Sequence, residues 1–322
     1  MSQIITNLTS LPSIRTGVSG RFRGILRDLM GRPVYDTGWF DNDILDSGIE
    51  WMGDINWYSY MYIGSNGTAT NPVTMTGIQT FLALAGSIGA GGAVQPNQST
   101  PYESNQIWWT RYGPTIGTGT IREFAIGKGA NGTLALTEGT ARQVVTPEIV
   151  KGVDHILDMY YDFTFWPALG QSLANGVLIG TETYNTITQS AVIQVNRYVA
   201  SSQAYLDSNS FSYVLYEGDI SATIEGTPSG TNERGRASES YGTLTQSGSE
   251  WYRDVTVVTG IDVCNFPTGI SAAQLRVTNQ ASYQVSFKAD GAGTLPLDAG
   301  IPKTNTDEIE LTYRNYFGRY VP

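Results

Sequence analysis

The sequence predicts an all-β protein: two related β-sandwich-like modules with minor helix, long loops and an N-terminal arm. Three observations carry this. Only 15% of the 322 residues are charged, against about a quarter in an ordinary soluble domain, while Gly numbers 37 and Pro 13. Apolar and polar residues alternate with period two in many short runs bounded by Gly, Asn, Asp or Pro. One such run recurs, since IVKGVDHILDMYYDFTF (149–165) aligns without a gap on IPKTNTDEIELTYRNYF (301–317).

Residues 1–19 are polar and rich in Ser and Thr, and read as an extended arm that docks on a neighbour. FRGILR and PVYDTGWF form a hairpin, with Gly31 free to take positive φ in the DLMGR turn. DILDSGIEWMG offers a short helix with Asp43 as its N-cap. INWYSYMYIGSNGTA is an aromatic strand ending at an Asn66-Gly67 type I′ turn signal. Periodicity leaves VTMTGIQTFLAL open between strand and short helix. Residues 85–105, rich in Gly and Ser, read as a loop. REFAIG then faces TLALT across Asn131-Gly132 as a hairpin. HILDMYYDFTFWP closes the first module as a strand, with Leu157, Met159, Tyr161, Phe163 and Phe165 on one face and Asp158, Tyr160, Asp162 and Thr164 on the other.

The first module is expected over 20–167, a crossing segment over 168–181 and the second module over 182–322. The strands of the second are ITQSAVIQVNRYV, FSYVLYEGDISATI, WYRDVTVVTGIDV, AQLRVTN and SYQVSFKAD. Residues 225–250 are polar and nearly devoid of apolar side chains, and read as a long exposed loop or a disordered insertion.

In the repeat, Lys151 falls on Lys303 and Tyr161 on Tyr313, and only four lysines occur in the chain. A Lys-bearing loop entering a half-buried strand would then close each half.

Chemistry is hard to place in this chain. A net charge of −10 without massed cations argues against a specific nucleic-acid partner. A single cysteine, Cys264, excludes an internal disulfide and a Cys-rich zinc site. No basic, apolar export leader opens the sequence, and the window GIQTFLALAGSIGAGGAV is too short and too polar to span a membrane. His155 is the sole histidine and has no G-x-S-x-G partner. Asp36, Asp41, Asp43 and Asp46 lack calcium-loop spacing, and GSIGAGGA lacks the Lys-Ser/Thr ending of a P-loop. Glu123, Asp158 and Asp162 lie near Trp108 and Trp109 and could serve glycoside hydrolysis, but acid pairs are common in any β protein with 29 acids. Trp57, Trp108, Trp109 and Trp251 could stack on sugars, against the simpler role of core and interface packing. No catalytic, cofactor-binding or metal-ligating residue is expected.

FRGILRDLMGRPVYDTGWFDNDILDSGIEWMG, YIGSNGTATNP, GTIREFAIG…LALTEGTARQVVTPEIVKGVDHILDMYYDF and IPKTNTDEIELTYRNYFGRY occur in this order. In that order the chain resembles structural proteins of tailed-bacteriophage virions, namely neck, collar and tail proteins and some tail-fibre attachment domains. The resemblance covers nearly the whole chain. It departs at AIGKGANG, which bears on packing, and is weak around 225–250. It implies no catalytic residue. It implies a non-enzymatic virion component, made in the host cytoplasm, that assembles as a homo-oligomer (ring or trimer) and links neck, portal, tail or fibre proteins. Glu123 and Lys151 are then a structural or subunit-contact pair, and Arg142, Tyr161, Lys303 and Tyr313 are further assembly candidates. The alternatives are a receptor- or glycan-binding tail protein and, behind it, a polysaccharide depolymerase.

Overall fold

The computed structural model describes residues 2–5, 7–8, 13–52, 58–86, 88–97, 103–166, 177–184, 187–198, 211–218, 230, 232–234, 237–260, 263–266, 269–277, 281–286, 303, 305 and 307–319. Among them the chain is all-β, with three sheets and two short helices, Asp46–Trp51 and Gly132–Ala135.

The largest sheet has 11 strands and runs through both halves. Its path is Ala237–Tyr241, Glu250–Thr259, Asp307–Arg319, Ser13–Asp28, His155–Trp166, Glu103–Tyr112 and Ile88–Asn97, with shorter strands at its margins. Ser13–Asp28 is the joint. Residues 17–28 pair antiparallel with 155–166, and residues 13–18 pair parallel with 314–319. Ser2–Ile5 continues this parallel pairing along 307–310. The segment expected as an arm for a neighbour is thus paired within its own chain.

The alternation within Ser13–Asp28 explains the layering. Val18, Gly20, Phe22, Gly24 and Leu26 are buried, while Arg21, Arg23 and Arg27 point to the other, outer face. On the inner face lies a five-stranded sheet, in the order Asp43–Ile44, Gly139–Lys151, Gly119–Gly127, Tyr60–Gly64, Phe81–Gly86. Phe22 meets Tyr161 at 4.8 Å and Phe124 at 6.0 Å between ring centres. The sheets come so close there that a Cβ at Gly24 would lie 2.7 Å from the Phe124 ring. A seven-stranded sheet, containing Phe211–Tyr216 and Ala272–Val277, is built from the second half with the N-terminal Asn7–Leu8 added at its edge against Val177–Tyr184, and Leu215 shares one core with Val255, Phe266 and Ile270.

The Arg21–Asp36 hairpin forms as expected, with Gly31 at φ 81° in its turn. Several local expectations are corrected. Helix Asp46–Trp51 is preceded by Leu45 without a side-chain cap, because Asp43 is held in a short strand against Arg142. Asn66 does not make a two-residue hairpin. Its side chain accepts from Thr68 N at 2.7 Å, and the strand paired with Tyr60–Gly64 arrives only at Phe81. The 85–105 stretch contains a strand, Ile88–Asn97, because Glu103–Tyr112 offers it a ladder. TLALT is a helical turn rather than a strand, since Asn131 Oδ1 caps Thr133 N and Leu134 N, both at 3.0 Å. The true partner of Gly119–Gly127 is Gly139–Lys151. Residues 225–250 are not one loop, because Ala237–Tyr241 and Thr245–Ser247 both pair with Glu250–Thr259. Of the crossing segment at 168–181, residues 168–176 lie outside the described residues, and Val177 already begins a strand.

Candidate functional site

The two repeated lysines occupy equivalent places. Lys151 ends Gly139–Lys151 and is followed by a short turn into His155–Trp166. Its Nζ donates to Gly113 O at 2.7 Å and Pro114 O at 2.9 Å, just past the end of Glu103–Tyr112. Lys303 is buried ahead of Asp307–Arg319 and donates to Asn265 Oδ1 at 2.8 Å, past the end of Glu250–Thr259. The pairing register repeats as well. Trp108 faces Tyr161 and Tyr112 faces Leu157 in one half, while Val255 faces Tyr313 and Thr259 faces Ile309 in the other. Each ammonium therefore pins the turn or segment that follows the neighbouring strand. Burial lowers the pKa of Lys151, with the Asp154 charge acting against it.

Glu123 and Lys151 do not pair. The partner of Glu123 is Arg142 on the adjacent strand, on the face covered by the 64–80 connection, and both side chains are fully buried. Arg142 Nε donates to Glu123 Oε2 at 2.7 Å. The carboxylate also accepts from Gln79 N (2.9 Å), Thr80 N (2.8 Å) and Asn66 N (3.2 Å). The guanidinium further donates to Thr70 Oγ1 at 2.8 Å and Thr68 O at 3.0 Å. One ion pair thus ties the 64–80 connection to the five-stranded sheet. With four donors and full burial, this carboxylate anchors the 64–80 connection. Tyr161 is buried, its hydroxyl set beside Asn42 in the notch left by Gly20, and burial pushes its pKa far above the phenol range. Of Tyr313 the described geometry is its backbone register.

The outer face of the long sheet holds an arrangement the sequence did not advertise. Asp162 accepts from Arg21 Nε at 2.9 Å and Nη2 at 2.7 Å. Asp158 accepts from Arg27 Nε at 2.7 Å and from Arg111 Nε and Nη2 at 2.6 and 2.9 Å. Arg23 binds Asp36. Asp158 and Asp162, expected on a polar exposed face, are each 1% exposed because these arginines lie over them. Between the pairs stand three half-buried rings: Trp109 stacks on Tyr160 at 6.4 Å, and Trp39 meets Tyr160 edge-on at 6.5 Å. Arg111 lies over Trp109 at 6.0 Å and Arg21 over Trp39 at 5.1 Å. The available signal was the even spacing of Arg21, Arg23 and Arg27, which places all three on one face of a strand.

The two acids are tuned in opposite directions. Burial raises Asp158, but hydrogen bonds from Arg111 and Arg27 outweigh it, and its pKa is lowered. Burial dominates at Asp162, with Arg21 opposing, and its pKa is raised. Asp158 therefore adds stability that is present above the unfolded-state pKa and is lost as pH falls through the lower folded one. Asp162 does the reverse, relieving a cost as pH falls through its raised pKa. In urea titrations between pH 7 and pH 3, the deficit of Asp158→Asn against the native chain should be largest at pH 7 and shrink in acid. The advantage of native Asp162 over Asp162→Asn should instead grow on mild acidification. Parallel curves for the two variants would contradict this assignment.

The remaining candidates are dispersed. His155 Nδ1 accepts from Gly152 N at 3.2 Å and lies beside the exposed Asp154. Asp36 binds Arg23, whereas Asp46 binds Arg319, which also donates to Ile44 O. Among the described residues, no group of three or more His, Cys, Asp and Glu could hold a metal ion. Cys264 is buried. Among the described residues, no helix is long and apolar enough to cross a membrane. Comparison with protein-family models, with curated proteins and with solved structures finds no match to this chain.

Proposed function

We propose that the chain is a non-enzymatic structural protein of a bacteriophage virion, a neck, collar or tail component that assembles as a homo-oligomer and links other virion proteins. One observation carries the assembly part. Of the eight large apolar side chains exposed among the described residues, six lie at one end of the first sandwich: Leu29, Met30, Val34, Ile116, Val150 and Val153. The topology brings them together. Asp28 pairs with His155, Tyr112 with Leu157, and Thr120 with Val150, so the 29–34, 113–118 and 152–154 turns emerge side by side. Exposed apolar side chains gathered on neighbouring turns in this way favour an interaction surface. Glu123, Arg142, Lys151 and Lys303 are buried and bonded within the chain, so the contact surface proposed is this apolar end and not those charges.

The test is oligomeric state. The native chain should run as a closed oligomer by light scattering after gel filtration. Substituting Leu29, Met30, Ile116 and Val153 by Ser should release monomers that keep the native far-UV circular dichroism and lose the concentration dependence of the thermal midpoint. A native chain that is monomeric at micromolar concentration would refute the assembly reading. Failure of an antibody against the chain to label intact particles would refute the virion assignment.

A further inference from the structure

We propose that Asn66–Gly67 is a spontaneous modification site, at which asparagine converts to isoaspartate and thereby loosens the Glu123–Arg142 clamp. The co-reactant is water, and no second copy or partner is needed.

The step is an intramolecular acyl transfer. The Gly67 backbone nitrogen attacks Asn66 Cγ, the new N–C bond closes a five-membered succinimide, and the side-chain nitrogen leaves as ammonia with the amide proton. Water then opens the ring. Opening at the side-chain carbonyl gives aspartate. Opening at the main-chain carbonyl gives isoaspartate, whose backbone runs through Cβ and Cγ and is one carbon longer. Ammonia is exchanged for water, and nothing is oxidised or reduced.

The local geometry suits this attack. Thr68 N donates to Asn66 Oδ1 at 2.7 Å, which folds the carboxamide back over the next peptides and puts a donor on the oxygen where charge develops. Gly67 is exposed and carries no side chain to crowd its nitrogen. A Cβ there would meet only Arg122 Cδ at 3.5 Å, so the ring has room to form. Among the described residues, no backbone hydrogen bond engages Asn66 O or Gly67 N.

The chain carries its own comparison. Of its three Asn-Gly pairs, Asn175–Gly176 lies outside the described residues. Asn131–Gly132 opens the helical turn Gly132–Ala135, and Asn131 O accepts from Ala135 N at 2.9 Å. Gly132 is boxed in, since a Cβ there would lie 2.9 Å from the Phe81 ring. Closing a succinimide at 131–132 must break the first helical bond, whereas at 66–67 it breaks none.

The consequence falls on the buried ion pair. Asn66 N donates to Glu123 Oε1 at 3.2 Å, while Arg142 holds Thr68 O at 3.0 Å and Thr70 Oγ1 at 2.8 Å. An extra backbone carbon between residues 66 and 67 puts the two sides of this grip out of register. Aspartate at 66 does not, because its carboxylate still accepts from Thr68 N.

The experiment holds the purified native chain at pH 8 and samples it over weeks. Mass spectrometry follows peptides spanning each Asn-Gly pair, where conversion adds about 1 Da, and enzymatic carboxyl methylation identifies isoaspartate. In the folded chain Asn66 should convert about tenfold faster than Asn131 or more, and in urea the two rates should converge. Gly67→Ala, which the open space around Gly67 admits, should slow conversion about tenfold by crowding the attacking nitrogen. The isoaspartate fraction should melt below Asn66→Asp and show faster hydrogen exchange at Gln79 and Thr80. Equal rates at Asn66 and Asn131 in the folded chain, an intact Asn66 after the unfolded chain has converted, or no slowing in Gly67→Ala would each overturn the site. An isoaspartate fraction that melts with Asn66→Asp would overturn its link to the clamp. None of these readings depends on oligomeric state, so they stand apart from the assembly reading.

Discussion

Glu123→Gln should destabilise the chain by about 3–5 kcal/mol, the range for removing one partner of a buried ion pair. The substitution is nearly isosteric, so the cost is electrostatic. Arg142 stays fully buried and keeps its bonds to Thr70 Oγ1 and Thr68 O, but no carboxylate remains to balance its charge. Three backbone N–H groups, of Asn66, Gln79 and Thr80, lose a charged acceptor at the same time. The damage should centre on the 64–80 connection, which the pair holds against the sheet. Urea unfolding should show the loss, and hydrogen exchange should show faster opening at Gln79 and Thr80 than at Phe124. Glu123→Gln/Arg142→Met, which removes both charges, should recover part of the stability. A single-variant loss below about 1 kcal/mol would mean that water reaches the pair and that the clamp is not a buried one.

Trp108→Ala should cost a further distinct 3–5 kcal/mol, roughly the range for truncating a large core aromatic. Trp108 is 2% exposed and stacks on Tyr58 at 4.6 Å and on Tyr161 at 6.0 Å, with Phe163 at 5.9 Å. Its removal empties the place where the long sheet meets its cover, and the surrounding rings cannot close the gap without moving the strand pairing of Tyr161. The adjacent Trp109→Ala points the other way and should cost only about 1 kcal/mol. Thermal unfolding of the two variants side by side reads the alternation of the Glu103–Tyr112 strand directly. Equal losses would contradict the inner and outer assignment of these neighbouring tryptophans.

Much of the fold follows from period-two patterning. His155–Trp166 buries Leu157, Met159, Tyr161 and Phe163 on the face that their spacing indicates. What the pattern cannot show is pairing over distance. Asp158 and Asp162 look solvent-facing by alternation, yet they are covered by Arg27 and Arg21 from residues 131 and 141 positions earlier. Ile88–Asn97 is rich in Gly and lacks an amphipathic rhythm, so only its ladder to Glu103–Tyr112 makes it a strand. Ala237–Tyr241 reads as polar linker for the same reason. TLALT alternates well enough for a strand, but Asn131 caps it locally and helix wins at short range. The repeat of Lys151 and Lys303 was legible because the ammonium must reach back to the end of the neighbouring strand, which fixes its distance from its own. The Glu123–Arg142 pair was not, since each residue belongs to a different strand and both resemble ordinary surface charges in the sequence.

The parallel seam between residues 13–18 and 314–319, extended by 2–5 against 307–310, joins segments about three hundred positions apart. A ribosome adding roughly 5–20 residues per second needs about 15–60 s to cover that distance. The first long strand can find its antiparallel neighbour, 155–166, midway through synthesis, and residues 33–41 cover part of its other edge, but the 13–18 stretch of that edge stays vacant until residues 314–319 emerge. The seam therefore acts as a completeness check: a truncated or stalled product keeps an open strand edge, which invites capture by chaperones or proteases before it can enter any larger structure.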